Sequence, residues 1–217
     1  MTIYDRLKEA NLIDQFGLVT LVGNPDGTDN GVLYSAHYFL ACSKAREGID
    51  PNHVAVLTAV AACLNKGNPL RKPGDYSQNS PDNAIGLSFC NRSFAETMLN
   101  YPKFLYNYNT TNPGKLTLGS WFGRQPGLIG FMQVAAGGWI NPLRVLVLLI
   151  GIYMTSCQAT TNTSDRLLAN LMIELVGNPI LKHWWQNKLK KQYKNGINDV
   201  YATYFGPAHV FSELDWA

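Results

Sequence analysis

The chain is organised around residues 24–38, Asn24-Pro-Asp-Gly-Thr-Asp-Asn-Gly-Val-Leu-Tyr-Ser-Ala-His-Tyr38. This stretch joins a polar loop that contains two glycines to an apolar helical pattern. The polar residues between positions 26 and 30 bring side-chain oxygen atoms close together, and the two glycines permit backbone angles that other residues resist. We expect a functional site to begin at this junction of loop and helix, and the other elements are interpreted around it.

The same loop has the residue order of a calcium-binding loop. Counted from Asp26, the positions of Thr28 and Asn30 are those at which such loops place oxygen ligands. The twelfth position requires a bidentate glutamate, but it is His37, which is a poor ligand for a hard cation. The stretch is therefore interpreted as a turn that caps the next helix through Asp29 or Asn30, and neither a metal ion nor another cofactor is expected.

Composition indicates one domain with a substantial core over residues 1–217. Charged residues make up 15% of the chain and hydrophobic residues 46%, which suggests that much of it is interior or lies at a partner surface. The formal net charge is +3, without the strongly basic character of nucleic-acid-binding domains. Nucleic acid is therefore not expected as a partner.

Two segments of the chain provide information on its cellular location. Residues 1–9 carry charges of both signs and no apolar segment, so no secretory signal is predicted and synthesis in a cytoplasm is expected. The most apolar run, Arg144 to Met154, has about half of the roughly 20 residues that a membrane span needs. We interpret this run as a buried helix and expect no membrane span.

Helical periodicity and capping signals recur along the whole chain. Thr2 is predicted to cap a first helix, and Asp50-Pro51 to begin a helix that is apolar on every side. The tripeptide Gly-Asn-Pro, at Gly23, Gly67 and Gly177, is interpreted as the end of one helix and the start of the next. Other helices are predicted at 32–48, 80–98, 126–136, 142–156, 163–176 and from 178 onward. The predicted fold class is all-α, with about nine helices in hairpins and the 51–64 and 142–156 helices at its centre.

Polar residues suited to a site lie mainly on the predicted loops. If successive helices run up and down, a subset of these residues would share one end, where carboxylates, histidine, arginine and tyrosine would lie beside aromatic rings. That mixture is typical of sites that cleave sugars. The candidate catalytic residues are Asp29, Asn30, His37, Arg71 and Asp82. The candidate substrate-binding residues are Tyr76, Gln78, Trp121, Arg124, Asp165, Arg166, Tyr204 and His209.

Two glycan-cleaving reactions fit this mixture. Hydrolysis requires one carboxylic acid to protonate the leaving oxygen and a second carboxylate to activate water. The candidates for this pair are Asp29, Asp75 and Asp82. β-Elimination on a uronic acid requires groups that neutralise the substrate carboxylate and a residue that moves a proton. The candidates for elimination are Asn30, His37, Arg71 and Tyr76.

A basic, aromatic segment near the C-terminus suggests a different activity. Residues 182–194 contain Trp184, Trp185 and five lysines, and a helix of this kind could bind phosphates or an anionic partner. A surface helix whose lysines face water gives the same pattern, so both interpretations remain open.

Four segments together resemble a group of uncharacterised bacteriophage-encoded proteins. These segments are Asp29-Asn-Gly-Val-Leu-Tyr-Ser-Ala36, Ser80-Pro-Asp-Asn-Ala-Ile-Gly-Leu87, Trp121-Phe-Gly-Arg-Gln-Pro126 and Thr163-Ser-Asp-Arg-Leu-Leu168. The resemblance implies a phage origin and an α-helical domain, toroid-like or a compact helical bundle, distantly similar to the (α/α) toroids of polysaccharide hydrolases and lyases.

Besides a host-directed protein that binds an anionic partner through the 182–194 helix, these expectations lead to two alternative functions. The first is a phage glycan-active enzyme, a hydrolase or lyase that acts on a bacterial surface polysaccharide or on peptidoglycan. The second is a non-enzymatic virion or assembly protein whose partners are other virion proteins, and low charge and the absence of a recognised catalytic motif favour it. In both cases the protein would be made in the host cytoplasm, and the second places it in the virion.

Overall fold

The fold is all-α, as the sequence predicted. The computed structural model describes residues 2–20, 30–75, 81–100, 131–137, 145–146, 148–150, 152–153 and 163–194. Its helices are α1 Ile3–Glu9, α2 Gly31–Ala45, α3 Pro51–Ala62, α4 Pro81–Cys90, α5 Arg92–Leu99, α6 Thr163–Val176 and α7 Pro179–Lys194. Residues 131–135 and the described residues between 145 and 153 are also helical. The Gly-Asn-Pro at Gly23, the aromatic stretch around Trp121 and the C-terminal tail lie outside the described residues.

Local hydrogen bonds explain where several helices begin. Thr2 Oγ1 accepts a hydrogen bond from Asp5 N at 3.1 Å, and Asp5 Oδ2 accepts one from Thr2 N at 2.9 Å, which completes a capping box. Asp50 Oδ1 accepts a hydrogen bond from His53 N at 2.9 Å, and α3 begins at Pro51. The helix starts predicted at Thr2 and Asp50 are confirmed.

One predicted helix is interrupted. Residues 80–98 were expected to form a single helix, but α4 ends at Cys90 and α5 begins at Arg92. Asn91 separates them in an extended conformation, and its Oδ1 accepts a hydrogen bond from Ser93 N at 2.9 Å. An asparagine side chain that competes for backbone N–H groups in this way ends one helix and caps the next.

The tripeptide Gly-Asn-Pro has two different structures in this chain. At Gly177 the prediction is confirmed, because Asn178 Oδ1 accepts hydrogen bonds from two backbone N–H groups of α7 at 3.0 and 3.1 Å. At Gly67 the prediction is wrong, because Leu64–Asn65 and Asn68–Pro69 pair as two short antiparallel strands. The connecting residues Lys66 and Gly67 have φ values of 50° and 91°, which is typical of a type I′ hairpin turn.

Helix α2 is the centre of the hydrophobic core. Eleven of its fifteen residues are buried, and it packs against α1, α3, α4 and α6. The prediction that the 51–64 and 142–156 helices are central is therefore wrong. α3 buries only Val56, Ala59 and Val60 among its twelve residues. Between 145 and 153, Leu148 and Ile152 are buried, but the other described side chains remain at least 37% exposed. α3 and the described residues between 145 and 153 therefore lie largely at the surface.

A partly buried ion cluster joins three helices. Glu174 of α6 accepts hydrogen bonds from Lys44 Nζ of α2 at 2.6 Å and from Lys182 Nζ of α7 at 2.7 Å. Burial alone would raise the pKa of Glu174, but the hydrogen bonds and charges of Lys182 and Lys44 hold that pKa below its ordinary value. The carboxylate therefore remains ionised at neutral pH and connects α6 to both neighbours.

Candidate functional site

Nine of the thirteen predicted site residues have side chains outside the described part of the structure. Seven of them lie outside the described residues: Asp29, Tyr76, Gln78, Trp121, Arg124, Tyr204 and His209. Asp165 and Arg166 lie in the first turn of α6, where only the backbone is described. The roles of these nine residues stay predictions. The described candidates are Asn30, His37, Arg71 and Asp82, together with Asp75, whose backbone N–H donates a hydrogen bond to Lys72 O at 3.2 Å.

Asn30 and Asp82 are in direct contact. Asn30 immediately precedes α2, Asp82 is the second residue of α4, and Asn30 Nδ2 donates a hydrogen bond to Asp82 Oδ2 at 3.1 Å. The Asn30 side chain makes no capping hydrogen bond to α2, and Asp29, the other residue predicted to cap this helix, lies outside the described residues. The Asn30 side chain instead bonds to the carboxylate of Asp82, which is 52 positions away in the sequence.

The two helices that carry this pair begin close to each other. Asn30 meets Asp82 where they begin, and Gly86 lies against the backbone of Val32 and Leu33 further along both helices. Their N-termini therefore share one end of the helix pair. The partial positive charge at a helix N-terminus favours a nearby anion, and Asp82 lies in the first turn of α4.

Arg71 is connected to the same end through Asn83, the residue after Asp82. Asn83 Nδ2 donates hydrogen bonds to Leu70 O at 2.9 Å and to Arg71 O at 3.2 Å, which fixes the chain after the hairpin against the start of α4. Arg71 Nε is buried, and within the described residues no acceptor forms a hydrogen bond with it. Thus Asn30, Arg71 and Asp82, which the sequence grouped as catalytic candidates, belong to one region.

Asn83 itself was not among the predicted site residues. It is fully buried, and its side chain positions both the 70–71 backbone and the first turn of α4. The sequence feature that could have identified it is its place directly after Asp82 at a predicted helix start. An asparagine at such a position more often faces water than the core. Sequence reasoning assigned that asparagine no role.

His37 lies in the core and not at this end of the helices. It is fully buried, two turns beyond Asn30 along α2, and its Nε2 lies 2.9 Å from the backbone oxygen of Leu167 in α6. Burial lowers the pKa of His37 to about 3, although the hydrogen bond to Leu167 and the charge of Glu174 oppose that decrease. A neutral, inaccessible imidazole is not suited to exchange protons with a substrate, so the structure disfavours the predicted catalytic role of His37.

Burial of His37 predicts a loss of stability in mild acid. Its pKa is about 3 in the folded state and 6.5 ordinarily, so the unfolded chain takes up the proton first as the pH falls. This contribution to stability is fully present above pH 6.5 and decreases toward pH 3. We expect the free energy of unfolding to decrease by about 2 kcal/mol between pH 7 and pH 5 from this group. Urea denaturation at the two pH values measures the difference.

The control for this experiment is another histidine. His37→Gln is expected to remove most of the pH-dependent difference, whereas His183→Gln, at an exposed position of α7, is expected to retain it. Comparing each variant with itself at two pH values separates the titration from any destabilisation by the substitution. An equal pH dependence in wild type and His37→Gln would contradict the assignment.

Three further observations restrict the chemistry of the described region. No cluster of three or more histidine, cysteine, aspartate or glutamate side chains suitable for a metal ion occurs among the described residues. None of the described helices has the length and apolar character needed to cross a membrane. Comparisons of the chain with protein-family models, curated protein sequences and solved structures gave no match.

Proposed function

We propose that the protein is a glycan-active enzyme that cleaves a bacterial surface polysaccharide or peptidoglycan where α2 and α4 begin. The observation that supports this proposal is the 3.1 Å hydrogen bond between Asn30 Nδ2 and Asp82 Oδ2. The amide orients one carboxylate oxygen, and the side chain of Asp82 remains partly exposed. A carboxylate held in place and accessible to substrate is the group that glycoside cleavage requires.

Each neighbouring residue then has a specific role. Asp82 is one of the two carboxylates of a hydrolase, and Asp29 or Asp75 supplies the other. Asp29 directly precedes Asn30 in the chain, and Asp75 follows Arg71 in the segment after the hairpin. The guanidinium group of Arg71 donates hydrogen bonds to sugar hydroxyl groups or to a sugar carboxylate.

The geometry favours hydrolysis over β-elimination. Elimination would use Asn30 to neutralise a substrate carboxylate, but its amide already bonds to Asp82, whose negative charge would repel a second carboxylate. Elimination would also use His37 to move the proton, and that side chain is fully buried. We therefore expect cleavage to release reducing ends and no unsaturated uronate.

The test is a panel of bacterial capsular polysaccharides, lipopolysaccharides and peptidoglycan. Reducing-end release and the ultraviolet absorbance of unsaturated uronates are measured for wild type, Asp82→Asn and Glu96→Gln. Asp82→Asn keeps the size of the side chain but removes its charge, and we expect it to lower cleavage by roughly 10²- to 10⁴-fold. Glu96→Gln, at an exposed position of α5, is expected to retain wild-type cleavage.

Circular dichroism establishes that each variant is folded before its activity is compared. Full activity in a folded Asp82→Asn variant would overturn the role of Asp82. If the wild type cleaves no glycan in the panel, the proposal fails, and the alternative of a non-enzymatic virion or assembly protein becomes the better explanation.

A further inference from the structure

An exposed apolar surface is formed by residues other than the polar ones described above. It is formed by the helical residues between 145 and 153 and by the start of α7, and it is defined here as the apolar face. Its residues, all at least 37% exposed, are Leu146, Leu149, Ile150, Tyr153, Ile180 and Trp184. A groove of about 490 Å³ runs between the two helices and is lined mainly by Leu149, Tyr153, Ile180, Leu181 and Trp184. Contiguous apolar surface of this kind is typical of a docking site.

Lysines continue the apolar face along α7. Ile180, Trp184, Lys188 and Lys191 are spaced four, four and three residues apart, so they lie along one side of the helix. Lys188 Nζ lies 5.6 Å from the centre of the Trp184 ring, which positions its charge beside the groove. The surface is therefore apolar at the start of α7 and cationic toward its end.

Acidic residues are absent from the sequence of both elements. No aspartate or glutamate occurs between Glu96 and Asp165, or between Glu174 and Asp199. Residues 97–198 contain ten lysine or arginine residues and two acidic residues, whereas residues 1–96 contain eight and ten. Residues 97–198, which include both elements of the apolar face, thus carry a formal charge of 10 − 2 = +8, whereas residues 1–96 carry 8 − 10 = −2.

We propose that the apolar face binds the surface of a lipid bilayer that contains anionic lipids. Its aliphatic side chains would lie at the boundary of the acyl chains, and Lys188 and Lys191 would contact the anionic headgroups. Tyr153 and Trp184 are residue types that prefer the interface between water and lipid. The proposal does not depend on the glycan site, because the two sites share no residue.

The charge and the breadth of the surface favour a bilayer over other occupants. A symmetric dimer of this chain would bring the lysines of one copy against those of the other. A single acidic helix of a partner protein would occupy the groove, but Leu146 and Ile150 are exposed without lining it. A membrane surface covers both the groove and these residues.

Cosedimentation of the full chain with vesicles tests the proposal. Vesicles of phosphatidylcholine alone are compared with vesicles of equal parts phosphatidylcholine and phosphatidylglycerol, each at low and high salt. We expect binding to the anionic vesicles that decreases with salt. The double variant Lys188→Gln/Lys191→Gln is expected to bind roughly thirtyfold more weakly. The double variant Leu146→Ser/Ile180→Ser is expected to lose most binding, because it removes apolar area.

Matched substitutions elsewhere on the surface serve as controls. Ile49 is 87% exposed, and Lys8 and Lys66 are exposed lysines outside the apolar face. Ile49→Ser and Lys8→Gln/Lys66→Gln are expected to bind anionic vesicles like wild type. A blue shift of tryptophan emission on binding, absent in Trp184→Phe, would place the bilayer at this face.

Three results would overturn the proposal. The first is no binding of wild type to anionic vesicles. The second is equal binding by wild type and both face variants, which would place the contact elsewhere. The third is a dimer in solution, or a complex with an acidic amphipathic peptide, that the face variants abolish while vesicles bind nothing.

Discussion

Replacing Trp185 with alanine is expected to lower the free energy of unfolding by about 3–5 kcal/mol. Trp185 is 1% exposed and is the largest fully buried side chain in the described part of the chain. It lies in α7, and its Nε1 donates a hydrogen bond to Asn170 Oδ1 of α6 at 3.1 Å. The substitution removes the apolar contacts of the indole, leaves a cavity and takes a donor away from a buried amide. Urea denaturation of wild type and variant measures the loss.

The adjacent tryptophan is the control for this prediction. Trp184 has the same chemistry but is 37% exposed, and its ring contacts Lys188 at the surface. We expect Trp184→Ala to cost about 1 kcal/mol or less, as for most surface positions. Similar losses in the two variants would show that α7 is not held to the core through Trp185.

Replacing Gly86 with valine is expected to lower the free energy of unfolding by about 3 kcal/mol or more. A Cβ atom at this position would lie 2.8 Å from Val32 O and 3.0 Å from the Leu33 backbone. These are backbone atoms of the central helix α2, so they cannot rotate away as the end of a side chain could. The new side chain must push α4 from α2, which also separates the helix starts that carry Asn30 and Asp82.

Gly48 is the control for the effect of adding a side chain to a glycine. A Cβ atom at Gly48 meets nothing within 4 Å, so Gly48→Val is expected to change stability by about 0.5 kcal/mol or less. If Gly86→Val unfolds the protein, Gly86→Ala extends the comparison with a single added methyl group. A stability of Gly86→Val equal to that of Gly48→Val would contradict the close approach of α2 and α4.

The candidate site was predictable in part. The sequence grouped Asn30, Arg71 and Asp82 because polar residues at helix starts and on loops are available for chemistry, and the structure brings Asn30 and Asp82 into contact. The same reasoning included His37, because a histidine can move the proton in β-elimination. Its burial depends on α6, which lies about 130 residues away in the sequence, so a local pattern carried no information on it.

The sequence by itself determined the helical class and the positions at which several helices begin. Thr2, Asp50 and Asn178 each accept hydrogen bonds from backbone N–H groups two or three residues ahead, so the sequence contains both partners within one helical turn. These starts do not depend on the rest of the fold.

Only the tertiary structure decided which surfaces are buried. The 145–153 residues are apolar enough for a core, yet most of those described lie exposed, whereas α2, with its polar Ser35 and His37, lies at the centre. The Asn30 side chain likewise bonds to Asp82 and makes no capping hydrogen bond to its own helix. Burial depends on which distant elements pack together, and that packing depends on contacts such as Gly86 against α2, whose partners are more than fifty residues apart.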